Sequence, residues 1–298
     1  MIFVIIITLL LLGCGNDAVN VGNTDNADLK PIGEIPDYII VGGEQFSTAL
    51  TELSIQNRTL NDEDIRQLRF MVNLEILSLE NCQINDITPL ASLPNLVNLS
   101  LRGNQISDIT PLAGLVNLES LDLEINQISD LAPAETLTNL KALRLYSNRI
   151  VDLTPLANLT NLRYLSLGRG NIVDITPLTN LTNLEQLIIM FSQVEDLTPL
   201  KNLTKLEFLA IISSQVSDIS PLTYLTSLTQ LLLSDNQISD VRPLALLTKL
   251  IDLRLEDNQI SDISPLANLP PQVALWLWDN PITDWSPVAH IGRVAGRP

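Results

Sequence analysis

From Leu74 onward the chain repeats itself every 22 residues. Taking one column as reference, it falls at Cys82, Asn104, Asn126, Asn148, Gly170, Ser192, Ser214, Asn236, Asn258 and Asn280. Around each member runs the frame L-x-x-L-x-L-x-x-N-x-I-x-D-I-x-P-L-x-x-L, and ten units cover 220 of 298 residues without insertion or deletion. An Asp four places on and a Pro seven places on recur in all ten. A unit this short cannot bury its own leucines, so it must stack on copies of itself, and the two ends need caps.

Each column has a physical reason. The L-x-L pair, for example Leu99 and Leu101, alternates with the period of two that a short strand requires. Successive strands then stack in parallel at roughly 4.8 Å. The reference Asn stands where the chain leaves the strand, where its amide can bond backbone groups of adjacent turns. Cys82, Ser192 and Ser214 are small enough for that slot, so Cys82 reads as a buried ladder thiol. In Ile109-Thr110-Pro111-Leu112, Thr110 is expected as N-cap and Pro111 as the first residue of a helical turn. Ser220, Ser264 and Ser286 repeat that chemistry, while Ala132 and Arg242 predict weaker starts. The Asp column (Asp86, Asp108, Asp130, Asp152, Asp174, Asp196, Asp218, Asp240, Asp262, Asp284) allows two readings: stacked cation ligands, or carboxylates accepting from turn N–H groups. Calcium needs six to eight converging oxygens, and one Asp per turn favours the second.

This frame resembles the leucine-rich-repeat family, specifically the 22-residue class of bacterial internalins. The resemblance implies an α/β repeat solenoid: a right-handed superhelix with a parallel concave sheet and short helical or 3-10 turns on the convex side. It also implies a surface-anchored module that binds proteins. Residues 37–73 read as an N-terminal cap. There Tyr38-Ile39-Ile40-Val41 is expected as an edge strand, and a helix is expected from about Asp62 to Arg69 behind an N-cap Asn. Residues 74–293 hold the ten repeats, the last serving as C-terminal cap, and 294–298 read as a tail.

Composition narrows the function. The net charge of −17 offers no basic surface for phosphates, which argues against nucleic acid. The one His, His290, lies in the final turn, and no zinc-binding or phosphate-cradling motif is present. No catalysis, cofactor or metal is therefore expected, and a monomer is.

Residues 2–12 form an apolar run too short to span a bilayer, which takes roughly 20 residues, but long enough for a signal peptide. It ends in Leu11-Leu12-Gly13-Cys14, which resembles the lipobox of bacterial lipoproteins. The resemblance implies removal of residues 1–13, acylation of Cys14 with palmitate-type lipid, and export to a bacterial membrane, on the cell surface or the periplasmic side. No Lys or Arg precedes the run, a departure from such signals. Plain secretion with an incidental Cys and a retained anchor remain open. Residues 14–36, poor in large apolar side chains, read as a flexible tether.

With the framework accounted for, function falls to the free positions that face out of the concave sheet. These are polar in units one to three. Units four to eight then supply Tyr146, Tyr164, Ile188, Met190, Phe191, Phe208, Ile212 and Leu232. Charge returns with Arg254 and Glu256, and the last unit shows Trp276 and Trp278. An apolar and aromatic stretch flanked by charge marks a partner surface, and all ten residues are candidate contacts. The alternative is that some of them pack on one another. A carbohydrate or cell-wall ligand stacking on Trp276 and Trp278, and a spacer without ligand, are the competing functions.

Overall fold

A computed structural model describes residues 34–297; the signal sequence, Cys14 and most of the expected tether lie outside them. Strands β1 (Tyr38–Val41) and β2 (Glu44–Ser47) precede β3 (Glu52–Gln56), helix α1 (Asp62–Gln67) and β4 (Ile76–Glu80). The repeats continue with β5 (Asn98–Ser100), β6 (Ser120–Asp122), β7 (Ala142–Arg144), β8 (Tyr164–Gly168) and β9 (Gln186–Met190). They end with β10 (Phe208–Ile212), β11 (Gln230–Leu232), β12 (Asp252–Arg254), β13 (Ala274–Trp276) and β14 (Arg293–Ala295). Strands β3 to β14 form one 12-stranded sheet, each pairing in parallel with its sequence neighbour. The chain is a leucine-rich-repeat solenoid.

The periodicity of the leucines explains both halves of each turn. Along the strand the period is two. On the return the buried residues fall every third place, as in Ile87, Leu90, Leu93 and Leu96, all at most 1% exposed. Three residues per turn is the 3-10 repeat, which eclipses i and i+3. The backbone agrees: Leu90, Leu93 and Leu96 each donate to the carbonyl three residues back, at 2.9, 3.0 and 3.3 Å. These leucines and isoleucines from all the units form one continuous core.

The start of each 3-10 turn differs from the expectation. Thr110 is its first residue and does not cap it; Ile109 occupies the cap position with no side-chain bond. The Asp column performs the capping. Asp108 Oδ1 accepts from Thr110 N–H at 2.8 Å, and the same bond recurs at all ten Asp positions. Hydrogen bonding from the Thr176 and Thr198 side chains, and then from their backbone N–H groups, holds the carboxyls of Asp174 and Asp196 below their ordinary range. Ala132 and Arg242 receive it at 2.8 and 2.9 Å, so their turns do not start more weakly at the backbone. The carboxylate two residues earlier supplies the cap, whatever side chain follows.

The reference column forms the expected ladder. Asn104 Oδ1 accepts from Cys82 and Ile84 N–H, both at 3.0 Å, and its amide donates to the Leu79 and Leu101 carbonyls. Cys82 is a free, fully buried thiol whose pKa is raised by burial. A second column lies outside the core. Asn95, Asn117, Asn139, Asn161 and Asn183 each donate to a carbonyl 23 residues earlier, at 2.8–3.0 Å.

Strand length follows the ladder. The six strands leading into Asn rungs, β5 to β7 and β11 to β13, have three residues each. Those leading into Arg58, Cys82, Gly170, Ser192 and Ser214 (β3, β4, β8, β9 and β10) have five. At an Asn rung the Leu101 carbonyl takes two amides, from Asn104 at 2.8 Å and Asn126 at 3.0 Å. Without those amides the equivalent backbone continues the sheet, pairing Leu167 with Ile189 and Gly168 with Met190.

The two ends are built differently from the expected strand and tail. Gly42 and Gly43, with φ of 58° and 81°, turn the chain so tightly that β1 pairs antiparallel with β2 and not with the main sheet. This hairpin buries Ile39 and Val41, and Gly42 N–H donates to Asp64 Oδ1 of α1 at 2.8 Å. Helix α1 has the expected N-cap, Asn61, in a capping box with Asp64. At the other end Val294 packs on the core and, with Ala295, belongs to β14, so the last strand occupies part of the stretch expected as tail.

Candidate binding face

The sheet turns alternate side chains away from the core, and parallel register aligns them in rows. One row runs Ser166, Ile188, Ala210, Leu232, and the next runs Gly168, Met190, Ile212. Phe208 stands in a third row, between Gln186 and Gln230. These residues form the apolar floor of β9 to β11. Met190 and Leu232 are nearly buried, at 9% and 7% exposure, whereas Ile188, Phe208 and Ile212 remain half-buried. The floor is widened by the long strands: Gly168, Met190 and Ile212 lie within the pleat, while their counterparts in the Asn repeats fall beyond the strand ends.

Tyr146, Tyr164 and Phe191 lie beside guanidinium groups at the edge of the floor. Arg144 lies over the Tyr164 ring at 4.6 Å, and Arg169 lies near both Tyr146 and Phe191, at 5.8 and 5.7 Å. Phe191 is not a strand residue. It follows β9 in the left-handed region, φ 53°, and is 39% exposed. Every rung is preceded by such a turn residue, which includes Arg169 and even the β-branched Ile125. The sequence reading gave neither arginine a role, and Arg169 looks like a turn residue.

Trp276 and Trp278 are separated from the floor by β12. Trp276 is held by Asp252, to which its Nε1–H donates at 3.1 Å, and by Arg254 and Arg293 at 5.4 and 5.1 Å from its ring. Trp278 is 51% exposed. The ten candidates thus form three groups: an apolar floor, an aromatic–arginine edge and a tryptophan end.

The opposite flank is polar and internally satisfied. Arg102 pairs with Glu124, Ser100 donates to Glu80 at 2.8 Å, and Ser166 donates to Glu124 at 3.1 Å across β7. Asp122 sits among these groups, accepting from Glu124 N–H at 2.9 Å. Burial pushes its pKa up to about 6; Arg144 and Arg102 oppose the rise and Glu80 adds to it. Among the described residues no group of three or more His, Cys, Asp or Glu is placed to hold a metal ion.

Comparison with known proteins agrees with this architecture. The sequence profile of paired leucine-rich repeats matches residues 94–137, 138–180 and 226–268. The intervening stretch contains both Ser rungs. A search of the curated proteins finds no match. Among solved structures, the internalin InlF of Listeria monocytogenes superposes with a TM-score of 0.80 at 34% identity, over 85% of this chain and 75% of that one. Internalin C2 of the same organism gives 0.61 at 36% identity, over 64% and 86%. A leucine-rich-repeat protein of Leptospira interrogans shares the fold at 21% identity, with a TM-score of 0.54 over 76% of each chain. At 34% identity to InlF over 85% of this chain and 75% of that one, the chain belongs to the internalin family of leucine-rich-repeat proteins.

Proposed function

We propose that this protein is a non-catalytic, surface-anchored module that recognises a protein partner through the outward face of its sheet. The observation that carries the reading is the apolar floor of Ile188, Phe208 and Ile212, set in a sheet whose outward positions on β5 and β6, Asn98, Ser100, Ser120 and Asp122, are polar. An apolar area rimmed by charge is the usual composition of a protein contact. The anchor is the acylated Cys14 at the membrane of an exporting bacterium. Photo-crosslinkers placed at Ile188 and Ile212 should trap a protein partner, while the same group at Val151 and Val173, exposed on another surface, should not. Equal trapping at both pairs contradicts the reading. Intact-mass measurement of the native protein tests the anchor separately: an unlipidated Cys14 removes it. Half-exposed Trp278 favours a second reading, a glycan stacked at the C-terminal end. Glycan-array binding that is lost in Trp278→Ala would support that one.

A further inference from the structure

The guanidinium groups on the sheet face fall into two classes. Arg102 is paired with Glu124, and Arg254 with Asp252 at 3.2 Å. Arg144 and Arg169 have neither a carboxylate within 4.0 Å nor a hydrogen bond among the described residues; each lies over aromatic rings instead. Asp122 is opposite Arg144 in register, but its carboxylate takes the Glu124 N–H and forms no ion pair with the arginine. The phenol hydroxyls of Tyr146 and Tyr164, the rings these arginines cover, also have no partner among the described residues. In a chain of net charge −17, donors have thus been collected without acceptors at one edge of an apolar floor.

We propose that Arg144 and Arg169, with the hydroxyls of Tyr146 and Tyr164, receive acidic side chains of a partner protein segment whose apolar side chains rest on Ile188, Phe208 and Ile212. This rests on the protein-binding reading above and names the chemistry of the partner. Stacking on an aromatic ring leaves the N–H edge of a guanidinium open for the forked bonds that carboxylates accept. The adjoining floor selects against a plain polyanion, which would leave Ile188, Phe208 and Ile212 uncovered. The protein's negative charge repels an acidic partner at long range. At physiological salt that field decays over roughly 8 Å, so the selection is made at contact.

A displayed library of random dodecapeptides, panned on the repeat-containing chain, tests this. The expected result is enrichment of sequences that place Asp or Glu beside aliphatic or aromatic residues. Their affinity should fall about tenfold or more both in the Arg144→Gln, Arg169→Gln double variant and in Ile212→Asp. Circular dichroism confirms that each variant is folded. Enriched peptides that are neutral or basic, and that depend on Ile212 but not on the arginines, would overturn the acidic partner and leave the protein-binding face standing. Displacement of acidic peptides by tripolyphosphate, dependent on the arginines but indifferent to Ile212→Asp, would reduce the edge to a simple anion site and overturn the proposal. Peptides indifferent to both variants, or no enrichment, would overturn it too, and indifference to both would count against the face itself.

Discussion

The repeats with Asn rungs and the repeats with Gly or Ser rungs solve the same problem in opposite ways. In the first, a buried amide from each turn bonds the backbone of its own and the preceding turn, and the strand stops after three residues. In the second, the rung side chain is too small to reach. The backbone groups pair with each other, and the strand runs to five. The Ser192 and Ser214 hydroxyls bond one another at 2.7 Å, a much smaller substitute for the Asn network. The lengthened strands carry Gly168, Met190 and Ile212 on the sheet face, and there the face is apolar. The ladder side chain therefore sets the area of flat sheet available to a ligand as well as the stability of the turn.

Five substitutions probe that difference and the turns around it, the first four measured by denaturant unfolding and the last by thermal melting. The largest effect is expected at an Asn rung. Asn126→Ala removes the acceptor of Ile106 N–H and a donor to the Leu101 and Leu123 carbonyls, costing about 2–4 kcal/mol, since buried groups are left unpaired. Ser192→Ala should cost less than about 1 kcal/mol, and equal costs would break the comparison. Gly170→Ala comes next. A Cβ there would meet the Ile150 carbonyl oxygen at 2.2 Å, so backbone must shift, at about 1–3 kcal/mol. Smaller, and of opposite sign, is Asp122→Asn. The folded pKa of Asp122 is raised to about 6, so the native state holds the proton more tightly than the unfolded chain. The stability contributed by the protonated form is complete below about pH 4 and lost as the pH rises through 6. Asp122→Asn should therefore stabilise at pH 7.5 by on the order of 1 kcal/mol and make no difference at pH 3.5. The smallest effect belongs to the exposed caps. The Asp196 carboxyl is held below its ordinary range by its bonds to Thr198, so its contribution is present at neutral pH and fades as the pH falls through the lowered value. Asp196→Ala should lower the melting temperature slightly at pH 7, and by less as the pH falls.

The fold was legible because burial leaves its period in the sequence: two along the strand, three along the return. What escaped notice depended on partners that the period does not reveal. The Asp column accepts from turn N–H groups as expected, but Thr110, read as the cap, is the residue whose N–H donates to Asp108. The outer Asn column, Asn95 to Asn183, recurs as regularly as the inner one but lies on a polar surface, where an Asn has no evident reason to be fixed. Gly42-Gly43 was not read as the tight turn that keeps Tyr38–Val41 out of the main sheet. The candidate face was partly legible. Alternation identified Ile188, Phe208 and Ile212, but it could not show that Met190 and Leu232, which share their rows, would be nearly buried. Nor could it show that Arg169, on a turn, would reach back to Tyr146.

The most direct test compares two double variants for affinity to one captured protein partner. Phe208→Ala with Ile212→Ala alters the widened face; Val151→Ala with Val173→Ala removes exposed side chains from another surface. The first pair should weaken binding by about tenfold or more, as truncation of a central apolar contact does, and the second should leave it unchanged. Equal loss from both pairs, or loss only from the second, would contradict the assignment of function to the long strands β8 to β10.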